Sequence, residues 1–180
     1  MELVSLADIR AAAAVLDGVA VHTPLIPCSW ADRTGSGSSL WVKPESLQPI
    51  GAFKLRGAYF AISCLPADVR ERGIVTHSSG NHGRAIAYAA REFGVPAAVV
   101  MPKITPPVKI AAVEALGAEI VLVDPDDRDT VTKEIAERRG MSLVPPFNDR
   151  NVIAGQGTVG LEIVTDQPDV EVVLVAIGGG

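Results

Sequence analysis

Apolar positions along the chain recur with two periods, and the switches between them mark the elements. Ser5 and Asp8, three residues apart, have the form of a capping box, and Ile9, Ala12, Ala13 and Leu16 follow at helical spacing up to Gly18, predicting an amphipathic first helix. His22-Thr23-Pro24-Leu25 and Gly35 to Ser39 read as loops, and Leu40 to Lys43 as a short strand ended by Pro44. After Gly51 a second helical pattern carries Phe53, Ala58, Ala61 and Ile62, with Pro66 to Arg72 as a connector. Short apolar runs then alternate with helical ones: strand Ile74 to Thr76, helix Gly83 to Phe93, strand Val95 to Met101, helix Val108 to Leu116, strand Glu119 to Val123, helix Thr130 to Arg139. Strands of this kind are buried on both faces, so with the helices between them, closed by Gly94, Gly117 and Gly140, they predict an α/β fold on a parallel sheet. Pro145-Pro146 breaks the rhythm. Asn151 to Val164 reads as a further helix, and Val172 to Ile177 as a buried strand leading into Gly178-Gly179-Gly180. A glycine turn after a parallel strand ordinarily opens a helix, so the expectation is a chain cut within a motif.

Composition narrows the classes. Twenty-one acidic against 16 basic residues, a net charge of −5, argue against nucleic acid or an anionic membrane as the partner. With 48% hydrophobic residues, 17 Gly and 13 Pro, the chain is globular and not low-complexity. Two cysteines, Cys28 and Cys64, make no disulfide framework. No basic segment leads into an apolar stretch, and no apolar run approaches the roughly 18 residues of a membrane span, so a cytoplasmic location is expected.

Four constellations could carry chemistry. Gly155-Gln156-Gly157-Thr158-Val159-Gly160 has the form of a dinucleotide fingerprint, but no full strand precedes it, and the acidic residue that should follow is replaced by apolar ones near Val175; small residues that let helices pack closely are the plainer reading. Ser79 with His82 or His77 lacks the glycines of a nucleophile elbow. Asp124 to Asp129 fails the calcium-loop pattern, with Asp129 and Ile135 where Gly and Glu belong, and reads as an acidic helix start. The fourth is a pair of segments. Ser78-Ser79-Gly80-Asn81-His82-Gly83 lies between a strand and a helix, so its backbone N–H groups can hold an anion such as a substrate carboxylate, with Gly80 and Gly83 allowing close approach. Gly51-Ala52-Phe53-Lys54-Leu55-Arg56-Gly57 puts a lysine at a helix start, where the helix end and Arg56 both disfavour ammonium; a neutral lysine can form a Schiff base with a carbonyl cofactor.

Those two segments, in this order, closely resemble the fold-type-II pyridoxal-phosphate enzymes of the serine/threonine dehydratase and serine racemase group. Further matches are Thr23-Pro24-Leu25, Lys43-Pro44-Glu45 with Leu47-Gln48, Gly117-Ala118, Ile153 to Thr158 and the terminal glycines. The resemblance implies two open parallel-sheet α/β lobes: residues 74–148 forming a smaller lobe inserted into a larger one made of 1–73 and 149–180, the latter incomplete at the phosphate-binding glycine loop. It implies pyridoxal 5'-phosphate as cofactor, Lys54 as the Schiff-base lysine, Phe53 packed near the cofactor ring, Asn81 on its phenolic oxygen and Gly178, Gly179 and Gly180 at the phosphate. Ser78, Ser79, Asn81 and His82 would bind the substrate carboxylate. The implied reaction is loss of water and ammonia from a β-hydroxy amino acid (serine, threonine or 3-hydroxyaspartate), with Lys54 as the base. Ser79 keeps a racemase open as the alternative, as a second acid/base on the face opposite Lys54. A non-catalytic fragment or degenerate relative is the other alternative. A homodimer is implied, and any divalent-cation ligands would lie beyond Gly180.

Overall fold

In the computed structural model, which describes residues 3–28 and 39–176, the Ser5 capping box opens α1 (Leu6–Leu16): Ser5 Oγ accepts from the Asp8 N–H at 3.2 Å, and Asp8 Oδ2 from the Ser5 N–H at 2.8 Å. A two-stranded antiparallel ribbon, β1 (Ile26–Pro27) with β2 (Trp41–Val42), precedes α2 (Lys54–Ser63) and the short α3 (Ala67–Arg70). The alternating region follows as β3 (Ile74–His77), α4 (Asn81–Glu92), β4 (Ala97–Pro102), α5 (Pro107–Glu114), β5 (Glu119–Val123), α6 (Arg128–Arg139) and β6 (Ser142–Leu143), and then α7 (Arg150–Asp166). Strands β3 to β6 form one parallel sheet in the order β5-β4-β3-β6.

The unbroken apolar strands are explained by the two faces they bury. Ile74, Ala97, Val99 and Met101 join Leu55 and Ile62 of α2, Ile86 of α4 and Val113 of α5 in one core. Their neighbours Val75, Ala98 and Val100 turn to the other side, against Ile135 of α6 and Met141.

The glycine motif at 155–160 serves packing. A Cβ on Gly155 would lie 2.6 Å from the Arg56 carbonyl oxygen and the Gly57 Cα, and one on Gly57 would lie 2.6 Å from the Val152 carbonyl oxygen. Helices α2 and α7 therefore touch backbone to backbone, while Gly157 admits Ile9 of α1.

Several expected boundaries move, for local reasons. Val95 does not start β4; its N–H bonds to the Ala90 carbonyl at 3.0 Å, completing the end of α4 after Gly94 at φ 67°. The acidic run does not cap α6: Pro125–Asp127 form a 3₁₀ turn with no side-chain cap, and Asp124 pairs with Lys103 at 3.1 Å. The buried strand expected from Val172 is absent as far as Ala176; Val172 and Leu174 are 72% and 85% exposed, and no described strand lies alongside to supply a ladder. Ile177 and the loop around Gly35 lie outside the described residues. Among the described residues no helix is long and apolar enough to cross a membrane.

Candidate active site

Lys54 is the first residue of α2, which no side chain caps. Gly51, at φ 72°, makes the turn into it, its N–H donating to the Gln48 carbonyl at 2.7 Å. The Lys54 side chain is half-buried: Nζ donates to the Pro146 carbonyl at 2.9 Å and lies 5.2 Å from the centroid of the Phe53 ring, itself partly exposed. Burial pushes the Lys54 pKa below the ordinary lysine value. Arg56, expected to contribute, does not. Its guanidinium, 1% exposed, turns to the opposite side and is held by Glu45 through Nε at 2.8 Å, by Glu162, by Thr158 at 3.2 Å and by the Val21 carbonyl at 3.1 Å.

The turn after β3 is shaped by its own groups. Ser78 Oγ accepts from the Gly80 N–H at 3.2 Å, and the Ser78 N–H reaches the Val100 carbonyl at 3.1 Å, extending the ladder. Gly83 is needed for packing, since a Cβ there would meet the Ser78 carbonyl oxygen at 2.7 Å, whereas a Cβ on Gly80 would meet nothing within 4 Å. Gly83 thus serves packing within the turn, while Gly80 borders open space. No side chain caps α4, so the N–H groups of its first turn are left for an anion. Asn81 is exposed at that end. Among the described residues Ser79 Oγ has no hydrogen-bond partner, and neither histidine bonds to it: His77 Nε2 lies 3.4 Å from Asp129, and His82 Nε2 is 3.1 Å from the Val144 carbonyl.

His82 follows Asn81 in the first turn of α4. Its side chain is 3% exposed and turned inward, leaving only its backbone N–H for an anion. Burial, and secondarily the charges of Lys54 and His77, lower its pKa to about 4 against the pull of the Val144 carbonyl. Lys54 and His82 thereby meet the same strap, residues 144–149, which also carries Asn148 at φ 57° and Asp149, the cap of α7 through Oδ1 to the Asn151 and Val152 N–H groups at 2.9 Å.

Sequence patterns gave no sign of the strap's carbonyls or of the ionic cluster around Arg56. In that cluster Lys43 Nζ sits 2.6 Å from Glu162, Thr23 Oγ1 donates to Glu45 at 2.8 Å, and His22 reaches Asp166 at 2.8 Å. A groove of about 400 Å³ between α1 and α7, lined by Leu16, His22, Leu161, Glu162 and Thr165, contains neither Lys54 nor the Ser78 turn. Among the described residues no group of three or more His, Cys, Asp or Glu could hold a metal ion. Gly178, Gly179 and Gly180 lie outside the described residues.

The site's donor set fits a pyridoxal cofactor's aldehyde: a half-buried lysine with a lowered pKa, an adjoining aromatic ring and an uncapped helix start tied to the same strap. Comparison with known proteins agrees. The chain is 44% identical over 180 residues to the L-threonine ammonia-lyase of Thermotoga maritima, covering 99% of this chain and 45% of that protein. It is 40% identical to the serine racemase of Oryza sativa subsp. indica, over 96% of this chain and 51% of that one. A crystal structure of a pyridoxal 5'-phosphate-dependent aspartate racemase superposes with a TM-score of 0.86 at 39% identity, covering 94% of this chain and 53% of that one. The chain thus spans about half the length of the relatives it matches. Since the profile described as pyridoxal-phosphate dependent enzyme matches residues 17–180, the chain belongs to the pyridoxal-phosphate-dependent enzymes of fold type II.

Proposed function

We propose that the protein is an ammonia-lyase that removes the β-hydroxyl of serine, threonine or 3-hydroxyaspartate as water and, after hydrolysis, releases a 2-oxo acid and ammonia. The observation that supports this is the shared strap: Lys54 Nζ and His82 Nε2 bond to carbonyls two residues apart, Pro146 and Val144, so the lysine and the first turn of α4 are tied to one segment. When bound, the cofactor supplies an electron sink for the pair left on the substrate Cα. Lys54, its pKa lowered by burial, would hold the cofactor's aldehyde and take the α-proton. The open N–H groups at the start of α4 would orient the substrate carboxylate, and exposed Asn81 would donate to the cofactor's phenolic oxygen. Phe53 would pack beside the ring, and Gly178 to Gly180 would cup the phosphate. Two lobes, 74–148 inserted between 1–73 and 149–180, belong to the same proposal; in support, β3 to β6 all fall between 74 and 143, while α1, α2 and α7 pack on one another. A homodimer is proposed with them.

Borohydride reduction after adding pyridoxal phosphate tests the reading. A label on Lys54 is expected; a label on another lysine, or none, overturns it. Product analysis with the three amino acids then follows ammonia and 2-oxo acid. One observation favours racemization as a second reading: unlike Ser78 Oγ, which closes the turn, the Ser79 hydroxyl has no partner among the described residues and is available as an acid/base. If inversion occurs, Ser79→Ala should lower the ratio of inversion to elimination by about tenfold or more, measured by chiral chromatography of serine.

A further inference from the structure

We infer that His82 is a positioning residue that acts on Lys54 through the Val144–Pro146 strap and never meets the substrate with its side chain. The inference rests on the proposed reading of Lys54. A carbonyl oxygen can only accept, so His82 Nε2 carries the hydrogen toward Val144, and the Nδ1 atom, buried and without a hydrogen-bond partner among the described residues, is the bare nitrogen of a neutral ring. Val144 is held from both sides: its N–H donates to the Val75 carbonyl at 3.0 Å, its carbonyl receives His82, and its side chain is buried.

The next two residues are Pro145 and Pro146. Each has φ fixed by its ring, and Val144 and Pro145, as residues preceding proline, are restricted in ψ as well. The direction of the Val144 carbonyl therefore limits where Pro146 lies, leaving the ψ of Pro146 to aim the carbonyl that receives Lys54 Nζ. Past Phe147 the strap is anchored again, by the left-handed Asn148 and by Asp149 capping α7. Losing the His82 donor frees the near end, and the lysine amine loses its fixed acceptor. Misplacement of a base by a fraction of an ångström lowers turnover without weakening carboxylate binding, which depends on backbone N–H groups.

The test compares His82→Leu with His82→Gln, whose side-chain amide can donate where Nε2 does, in the full-length protein loaded with pyridoxal phosphate. His82→Leu should lower kcat about tenfold or more with KM for the amino acid within about twofold, and His82→Gln should recover most of the loss. A rise in KM at constant kcat, or equal damage from both variants, overturns the inference. A second readout needs no cofactor: ¹⁵N NMR of the apo-protein should show the Nε2–H tautomer, unprotonated between about pH 5 and pH 8. An Nδ1–H tautomer, or titration near pH 6.5, overturns the geometry independently. If Lys54 takes no label on borohydride reduction while the Nε2–H tautomer is present, the failure lies in the reading of Lys54 and removes the positioning role with it.

Discussion

As the proposed Schiff-base lysine, Lys54 serves the site more than the fold. Its side chain is half-buried and donates to the Pro146 carbonyl, so Lys54→Ala should change stability by no more than about 1 kcal/mol while reducing turnover to background, as read by urea unfolding beside an ammonia assay. Arg56 is the reverse case. Its guanidinium pairs with Glu45 and Glu162 in a buried cluster, where burial raises the Glu45 pKa but the Arg56 hydrogen bonds and charge more than offset it, leaving the carboxyl below its usual range. Arg56→Ala leaves two carboxylates facing each other without that cation and should cost about 3–5 kcal/mol, measured by the urea midpoint. Both residues stand in one heptapeptide, Gly51 to Gly57, and the sequence marked Lys54 as a candidate through its neighbours. It did not make Arg56 legible, because the partners of that guanidinium lie 11 and 106 positions away and no periodicity links them.

At the scale of elements, the contact between α2 and α7 depends on missing side chains. Gly57→Ala and Gly155→Ala each drive a Cβ to within 2.6 Å of opposing backbone, so each should destabilise by at least the roughly 1–3 kcal/mol of ordinary overpacking, and the double variant by less than the sum, since both open the same crossing. Gly160, in the same helix with nothing within 4 Å of a built Cβ, supplies the control: Gly160→Ala should stabilise by up to about 1 kcal/mol. Thermal unfolding of the four proteins separates the cases. The glycine spacing was visible in the sequence, and so was the choice between nucleotide and packing, because the residues around it carry no strand and no acid. The element types of the sheet region were equally legible from their apolar period. So was β2, inside the short strand read over Leu40 to Lys43, but its partner β1 and strand β6 were not, since two-residue pairings take their register from partners distant in sequence. The apolar stretch after Asp169 shows the converse: composition gives strand propensity, but only a neighbouring ladder makes a strand.

For the whole molecule, the buried His82 converts acidity into unfolding. Its folded pKa of about 4 lies below the 6.5 of an exposed histidine, so between those values the unfolded chain binds the additional proton and stability rises with pH. The same difference is lost on acidification, by about 3 kcal/mol from pH 6.5 to pH 4, with no further change below. Lys54 on α2 and His77 on β3 both act in the direction that keeps the ring neutral, and only the Val144 carbonyl opposes them. Glu45 also loses its stabilisation in acid, but at pH values below its ordinary 4.5, and it is common to wild type and variant. Urea midpoints of wild type and His82→Gln should therefore run parallel above about pH 7 and converge or cross as the pH falls toward 4, because the glutamine keeps the donor to Val144 and has nothing to protonate. Parallel curves throughout would mean that the ring is already protonated in the fold or reaches water, and the strap would then have no neutral donor holding its near end.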